Sequence, residues 1–453
     1  MTGVANGAAP GSRDIFRLAW PMTLKAIFLH GTVVIDGWMV SSLGEVALAA
    51  MGIAAALGGI VLGAIFAFSH AMQIRTAQLY GGRDPVHLKS VLASGLILSM
   101  GIGLLGIAIL LIFGGTFINL LAENEAVAGG AWSYLSIFTI VLAGEAIGQC
   151  VASYLNGCGR TKIPLIGYCI SVPINVIASY GLIHGLWGLP AMGVAGAALG
   201  SAFGITTQTS FLASQLLRQD SYLRRISGWQ KGTLGRTLAR HVQFSLPIAA
   251  TFISATLATH ICTLIYANMA LPAFAAMTLI APWNMVAGQI SMQWTQASGI
   301  LVAQLLGNRT PEAMLSAFLS IVWRGAFIAA GIVALVFLIM GLTLNQIYPD
   351  LSDETRAILL TFIPLMILVQ PFRATNAVCG NTLRASGDTI YVMHIFVWSQ
   401  WAFRVPLTAL FVLYFDLPAV LILSLIFWEE IVKFLPFHRR LWRGAWQHAN
   451  VLD

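Results

Sequence analysis

"AQLYGGRDP", residues 77–85, returns 226 residues later as "AQLLGNRTP", residues 303–311. Pro21 in "LAWPMT" maps at the same shift onto Pro247 in "FSLPIA". Further along, "LNGCGRTK" (155–162) aligns with "LRASGDTI" (383–390) at a shift of 228. The chain therefore reads as one design written twice. A basic loop, 217–241, joins an N-lobe (13–216) to a C-lobe (242–436). A flexible tail (1–12) precedes them and a basic tail (437–453) follows.

Each copy is built from apolar runs. With 58% hydrophobic and 9% charged residues, the chain is too apolar for a soluble globule of its length. A bilayer-crossing helix needs about 20 mostly apolar residues. Twelve stretches qualify, near 15–40, 46–70, 90–114, 130–155, 163–186, 191–216, 243–266, 273–300, 315–342, 357–380, 390–414 and 417–435. Continuous rather than alternating hydrophobicity predicts helices, not a barrel. The expected fold is an all-α polytopic membrane protein with twelve transmembrane helices in two six-helix lobes. Six is even, so both lobes start on the same side and are related by a pseudo-twofold axis along the membrane normal.

The net charge of +7 is a topology signal rather than a nucleic-acid surface. Arg13 and Arg17, then Arg75, Arg83 and Lys89, Arg160 and Lys162, and Arg218, Arg224, Arg225, Lys231, Arg236 and Arg240 fall at one set of ends. Arg309, Arg384, Lys433, Arg439, Arg440 and Arg443 complete that set. The opposite ends carry Glu45, Glu123, Glu125, Asp350, Asp353, Glu354 and Asp416, with Arg356 their one base. By the positive-inside rule both termini are cytoplasmic, in an inner membrane. Residues 1–12 lack the apolar core of a secretory signal. The five cysteines form no CxxC pair, which argues against a disulfide or zinc framework.

The order of motifs resembles the multidrug and toxic compound extrusion (MATE) transporter family from about Arg17 to Arg440. The matching pieces are "LAWP" with Asp36 fifteen residues on, "LGEVALAAMG", "LYGGRDP", "LNGCGRTKIP", "LPAMGVAGAALGSAFG", "LRASGDT" and "FRVPL". The resemblance implies a monomer that exports organic compounds in exchange for protons or sodium ions, without a cofactor. It also implies that Asp36, at the family's helix-1 aspartate, is central to cation coupling.

An ionised side chain at bilayer depth costs from about 3 to well over 10 kcal/mol, so each one needs a reason. Asp36 lies nine residues before Glu45, about 13 Å from that end. Pro21, lower in the same helix, removes a backbone donor and allows a kink. Glu145 lies fifteen residues before Arg160, about 22 Å up helix 4. Asn175 lies thirteen past Lys162, about 20 Å up helix 5. The three share a depth in one lobe, and an aspartate with an asparagine amide can hold a proton or a small cation on oxygen. Many relatives carry a second acid one turn after the helix-5 asparagine; here that position is Ser179. In the C-lobe, the position where sodium-coupled members of the family it resembles carry a glutamate, eight residues after the helix-7 proline, is Ala255, and the repeat counterpart of Asp36 is Cys262. The C-lobe thus reads as lacking the acid that a second cation site would need, which favours proton over sodium coupling. His260 reads as a core histidine, Lys25 as a base snorkelling to the interface, and Arg404 as structural. Arg373 stands at the repeat position of Glu145 and is expected to pair with it when the cavity closes on one side. Trp283, Asn376, Arg373 and His260 are candidates to line a central cavity.

Aromatic and methionine side chains suit flat lipophilic cations, whereas Arg373 leaves zwitterions and anions open. The rival readings are a sodium-coupled antiporter of the same family and a lipid-linked sugar flippase on a related scaffold. No HExxH, GxSxG or GxxxxGK[ST] occurs, so neither protease chemistry nor ATP hydrolysis is expected.

Overall fold

The structure, a computed structural model, describes residues 10–219, 233–349 and 351–451. The start of the expected N-terminal tail, the linker core with Arg224, Arg225 and Lys231, Asp350 and the last two residues lie outside them. Among the described residues twelve long helical segments follow one another: α1 Ser12–Ser41, α2 Glu45–Gly81, α3 Pro85–Leu121, α4 Glu125–Gly157, α5 Lys162–His184 and α6 Val194–Gln219. They continue as α7 Thr233–Tyr266, α8 Leu271–Gly307, α9 Glu312–Leu342, α10 Asp353–Ala385, α11 Thr389–Tyr414 and α12 Ala419–Trp442. Strands are absent among the described residues. In lipid a helix satisfies its backbone groups within itself, whereas an open strand does not.

Among the described residues, ten of the twelve are long and apolar enough to cross a membrane. The two outside that group are α6, with Thr206, Thr207, Gln208, Thr209 and Ser210 in succession, and α12, with Glu429, Glu430 and Lys433. Several helices run past their apolar stretches: α8 begins before 273 and ends after 300, and α12 continues to Trp442 instead of stopping near 435.

The repeated motifs are helix-ending turns. The Asp84 amide donates to the Leu79 carbonyl at 3.2 Å, and at the equivalent place the Thr310 amide donates to Leu305 at 3.1 Å. Both turns pass through a left-handed arginine, Arg83 (φ 54°) and Arg309 (φ 51°), a conformation that costs a non-glycine residue about 1–2 kcal/mol. The second motif makes the same closure with glycine: Gly159 and Gly387 are left-handed. There Arg160 bonds back to Leu155 at 2.8 Å and Asp388 to Leu383 at 2.9 Å. This six-to-one bond is the Schellman solution to orphaned carbonyls at a helix end. What repeats in the sequence is thus the local chemistry that stops α2, α4, α8 and α10.

Helix faces follow the small residues. On α3 the buried set includes Ser94, Gly95, Ser99, Gly103 and Gly114, while Leu104, Leu105, Ile112 and Phe113 are exposed. That is the pattern of helices packed through small side chains with large apolar ones turned outward to lipid. The α5–α6 pair is the tightest case. A Cβ on Gly196 would meet the Leu182 carbonyl carbon at 2.6 Å, and one on Gly204 would meet Asn175 Cβ at 2.8 Å. Between them, a Cβ on Gly200 would run into the backbone of Ser179. Gly200→Ala is therefore expected to force the two helices apart and to destabilise the protein by about 1–3 kcal/mol or more. A thermal melt in detergent checks this, with Gly288→Ala, where the added Cβ meets open space, as the neutral control.

The described chain divides into two compact units. One holds Leu24–Tyr80 and Asp84–Ala249; the other holds Gly81–Arg83, the residues from Ala250 onward and those up to Thr23. The division within α1 falls two residues past Pro21, and that within α7 two residues past Pro247. The first unit has a core that includes Met39, Val40, Leu135, Leu142 and Ala198. The second is centred on Val333, Phe337, Phe362 and Ile422.

Candidate functional site

In the first unit, α1, α2, α4, α5 and α6 surround a cavity of about 290 Å³. Its polar wall carries Asp36, Glu145, Asn175, Ser201 and Gln208, and its apolar wall includes Met51, Tyr134, Phe138 and Tyr168. Asp36 is buried (7% exposed). The Ser201 hydroxyl donates to Asp36 Oδ2 at 3.1 Å and accepts from Asn175 Nδ2 at 2.9 Å. Ser201 is thus the pivot that joins the two residues, and it sits next to Gly200, where α5 and α6 come closest. The other oxygens of the pair, Asp36 Oδ1 and Asn175 Oδ1, are buried without a hydrogen-bond partner. A buried acceptor left unpaired costs about 1–3 kcal/mol, so two together mark a place where a proton or a cation is welcome.

A second chain of polar groups runs beside the first. Lys25 Nζ donates to Gln149 Oε1 at 3.1 Å, and Gln149 Nε2 donates to Glu145 Oε2 at 2.8 Å and to the Tyr168 hydroxyl at 3.2 Å. The Lys25 ammonium also lies 5.4 Å from the centre of the Tyr168 ring. This corrects the expectation that Lys25 snorkels outward. It turns inward because a buried glutamate, relayed by an amide, offers a better partner than the interface.

Ser179 is not part of this group. It is fully buried, and its hydroxyl donates to the Ala197 carbonyl at 3.4 Å across the α5–α6 contact. Pro21 is buried inside α1, where it leaves the carbonyl one turn earlier without an amide.

The second unit holds a pair of buried acids at positions other than Ala255 and Cys262. Glu429 and Glu430, adjacent on α12, are both buried, and so is Lys433. Lys433 Nζ lies 3.2 Å from Glu429 Oε1 and 2.8 Å from Glu430 Oε1. Arg404 Nη1 donates to Glu429 Oε2 at 3.1 Å and Nη2 to the Thr259 hydroxyl at 3.0 Å. Asn376 Nδ2 donates to both the backbone oxygen and Oε2 of Glu430 at 2.8 Å. Arg404 reaches the cluster from a π-helical stretch of α11, Ser399–Arg404, whose wider turn re-aims side chains. Lys433 is thus no loop base marking the membrane edge. Its charge is held inside by two carboxylates, which is what burial of an ammonium requires.

The remaining candidates are scattered. Arg373 Nη1 donates to Asn284 Oδ1 at 2.6 Å. Trp283 is half-buried and donates its indole N–H to the Tyr348 hydroxyl at 3.0 Å. His260 is exposed rather than in the core. Sequence reasoning overlooked Ser201, Gln149, Glu429 and Glu430. The first lay inside a quoted glycine-rich motif whose four-residue glycine spacing marks a close helix contact. The acids stood in "WEEIVK" (428–433), where Glu at i and i+1 and Lys at i+4 and i+3 is pairing distance on a helix.

Known proteins resemble this chain in architecture and in sequence. A probable multidrug resistance protein NorM of Caulobacter vibrioides is 24% identical over 384 residues, covering 83% of this chain and 79% of that protein. An uncharacterized transporter, YisQ of Bacillus subtilis, is 21% identical over 439 residues, covering 95% and 94%. Among solved structures, the outward-facing conformation of a multidrug resistance MATE family transporter of the MOP superfamily superposes with a TM-score of 0.84. It does so at 17% identity over 98% of this chain and 99% of that one. The MatE family model matches residues 21–181 and 247–410, one segment for each copy of the repeat. With both copies matched over most of the sequence, the chain belongs to the MatE family.

Proposed function

We propose that this protein is a secondary antiporter that exports organic compounds, of the kind its NorM-like relatives are named for, in exchange for protons by alternating access. The observation that carries this reading is Asp36. It is a buried carboxylate with one oxygen held by Ser201 and the other unpaired, in the wall of a cavity whose other side is aromatic and apolar. A carboxylate so placed binds one proton on the unpaired oxygen and, once neutral, can turn that O–H toward a neighbouring acceptor. The aromatic faces of Tyr134, Phe138 and Tyr168 suit a flat lipophilic substrate, and cation–π attraction adds to burial for a charged one. Glu145, relayed through Gln149 to Lys25, supplies a second site for proton exchange in the same wall.

Sodium coupling is the second reading, supported by the same two unpaired oxygens, since a hard cation prefers oxygen ligands. We favour the proton because the Asp36–Ser201–Asn175 group has a single acid at its centre. Everted vesicles separate the two. With a lipophilic cationic dye, an imposed proton gradient alone is expected to drive uptake, and a sodium gradient alone is expected to drive none. Uptake that follows the sodium gradient and survives collapse of the proton gradient overturns the proposal. The same reading places both termini in the cytoplasm of an inner-membrane monomer.

A further inference from the structure

The last turns of α12 carry a feature that the transport reading does not use. Pro436 lies within the helix, and the Tyr391 hydroxyl, from the first turn of α11, donates to its carbonyl at 3.0 Å. Beside this contact is a cavity of about 330 Å³ lined by Tyr391, Leu435, Pro436, Arg439, Arg440 and Arg443. No acid is among the lining residues. Arg440 is held in place on two sides: its Nε lies 2.7 Å from Asp388 Oδ2, outside the lining, and its guanidinium lies 5.0 Å from the centre of the Tyr391 ring, within it. That bond leaves the Nη groups of Arg440 for another partner. Arg439 and Arg443, one turn apart, are exposed and make no ion pair among the described residues.

Asp388 balances one of the three guanidinium charges, which leaves a net positive cavity that an anion would neutralise. The planar guanidinium forks match the oxygens of a phosphate, two N–H groups to two oxygens. The rim decides which kind of phosphate. Leu435, in the lining itself, is 66% exposed; Ile390, the chain neighbour of Tyr391, and Trp442, that of Arg443, are exposed too. In a membrane-spanning chain such an apolar rim faces acyl chains, and Trp near Arg is the signature of a headgroup-level surface. A free phosphate has nothing to place on this rim; a phospholipid does. A zwitterionic headgroup would bring an ammonium toward three arginines, where the carboxylate at hand, Asp388, is already bonded to Arg440. We propose that this pocket binds the phosphate of an anionic phospholipid, with Arg440 pre-oriented by Asp388 and the acyl chains laid along Leu435.

The test uses the full chain, released from detergent in native mass spectrometry after addition of dioleoylphosphatidylglycerol or dioleoylphosphatidylcholine. The wild type is expected to retain one phosphatidylglycerol and to discriminate against phosphatidylcholine. The double variant Arg439→Gln/Arg443→Gln, which spares the Arg440–Asp388 pair, is expected to bind phosphatidylglycerol about 30-fold more weakly. Arg439→Lys/Arg443→Lys, which keeps the charge but not the fork, should recover part of that. Leu435→Glu leaves every arginine in place, sets a carboxylate at the rim and should also release the lipid. Equal retention by the wild type and both of these disrupting variants overturns the proposal, as does equal retention of the two lipids. Stabilisation of the wild type by inorganic phosphate as strong as that by phosphatidylglycerol would assign the pocket to a free anion instead. If the arginines only serve the negative end of α12, the Gln variant will melt earlier in either lipid with no change in lipid retention, and the proposal fails.

Discussion

An Asp36→Asn chain is expected to insert and fold like the wild type and to lose uphill extrusion completely, retaining only downhill leak of substrate. Asparagine has the size of aspartate and still offers an oxygen to the Ser201 hydroxyl, so the contact at 3.1 Å has a replacement. What it cannot do is gain or lose a proton. An ion drives a conformational cycle only through its differential affinity for the two states. Moving a two-state population from one side to the other takes about 5.5 kcal/mol of such difference. If Asp36 is where that difference arises, the amide supplies none of it, and the variant resembles a permanently protonated protein. Dye efflux against a gradient, with purified protein in proteoliposomes, reads this directly. Undiminished uphill extrusion by the Asn variant would move coupling elsewhere, with Glu145 the next residue to test. Equilibrium binding of the dye should survive, because the aromatic wall of the cavity is untouched.

The second large effect is expected at Glu429, and on stability before transport. Glu429→Gln leaves the partly buried Arg404 without its carboxylate and takes one of two from the buried Lys433. Removing one member of a buried ion pair costs about 3–5 kcal/mol, because the partner's charge stays behind without compensation. Replacing both members by apolar residues of similar volume costs far less. The expected order is therefore wild type, then Arg404→Met/Glu429→Met, then Glu429→Gln as the least stable. Unfolding in detergent followed by tryptophan fluorescence measures it. A Gln variant as stable as the wild type would mean that the cluster adds nothing to the fold. A double-Met variant as unstable as Gln would mean that packing at these positions, not charge, is what the cluster supplies.

Much of this was legible before any coordinates. The repeated "AQLYGGRDP" and "AQLLGNRTP" announced the duplication, and the structure shows why they recur: they are the residues that stop a helix and start the next. Asp36, Asn175 and Glu145 stood out because each is polar in an apolar run, and depth by residue counting put them level. Counting along single helices could not say which faces meet. Asn175 reaches Asp36 only through Ser201, and that meeting depends on how closely Gly196, Gly200 and Gly204 let α6 approach α5. Lys25 was misread for the same reason, since a base near a helix end can turn either way until its neighbours are known. Glu429, Glu430 and Lys433 were lost because a stretch of charges near the end of an apolar run looks like the membrane edge. The helix runs on to Trp442, which places them inside.

The two π-helical stretches of α11, Ser399–Arg404 and Leu410–Tyr414, bear on how the halves are compared. A turn closed from i to i+5 takes in more residues than an α-turn, so an alignment that keeps a constant offset between α5 and α11 drifts out of phase beyond Arg404. Substitution data carried from one half to the other by simple numbering will name the wrong side chain there. Shortening the first stretch by a single residue should swing everything downstream by about 100°, one residue's share of an α-turn, and strip Arg404 of its partner.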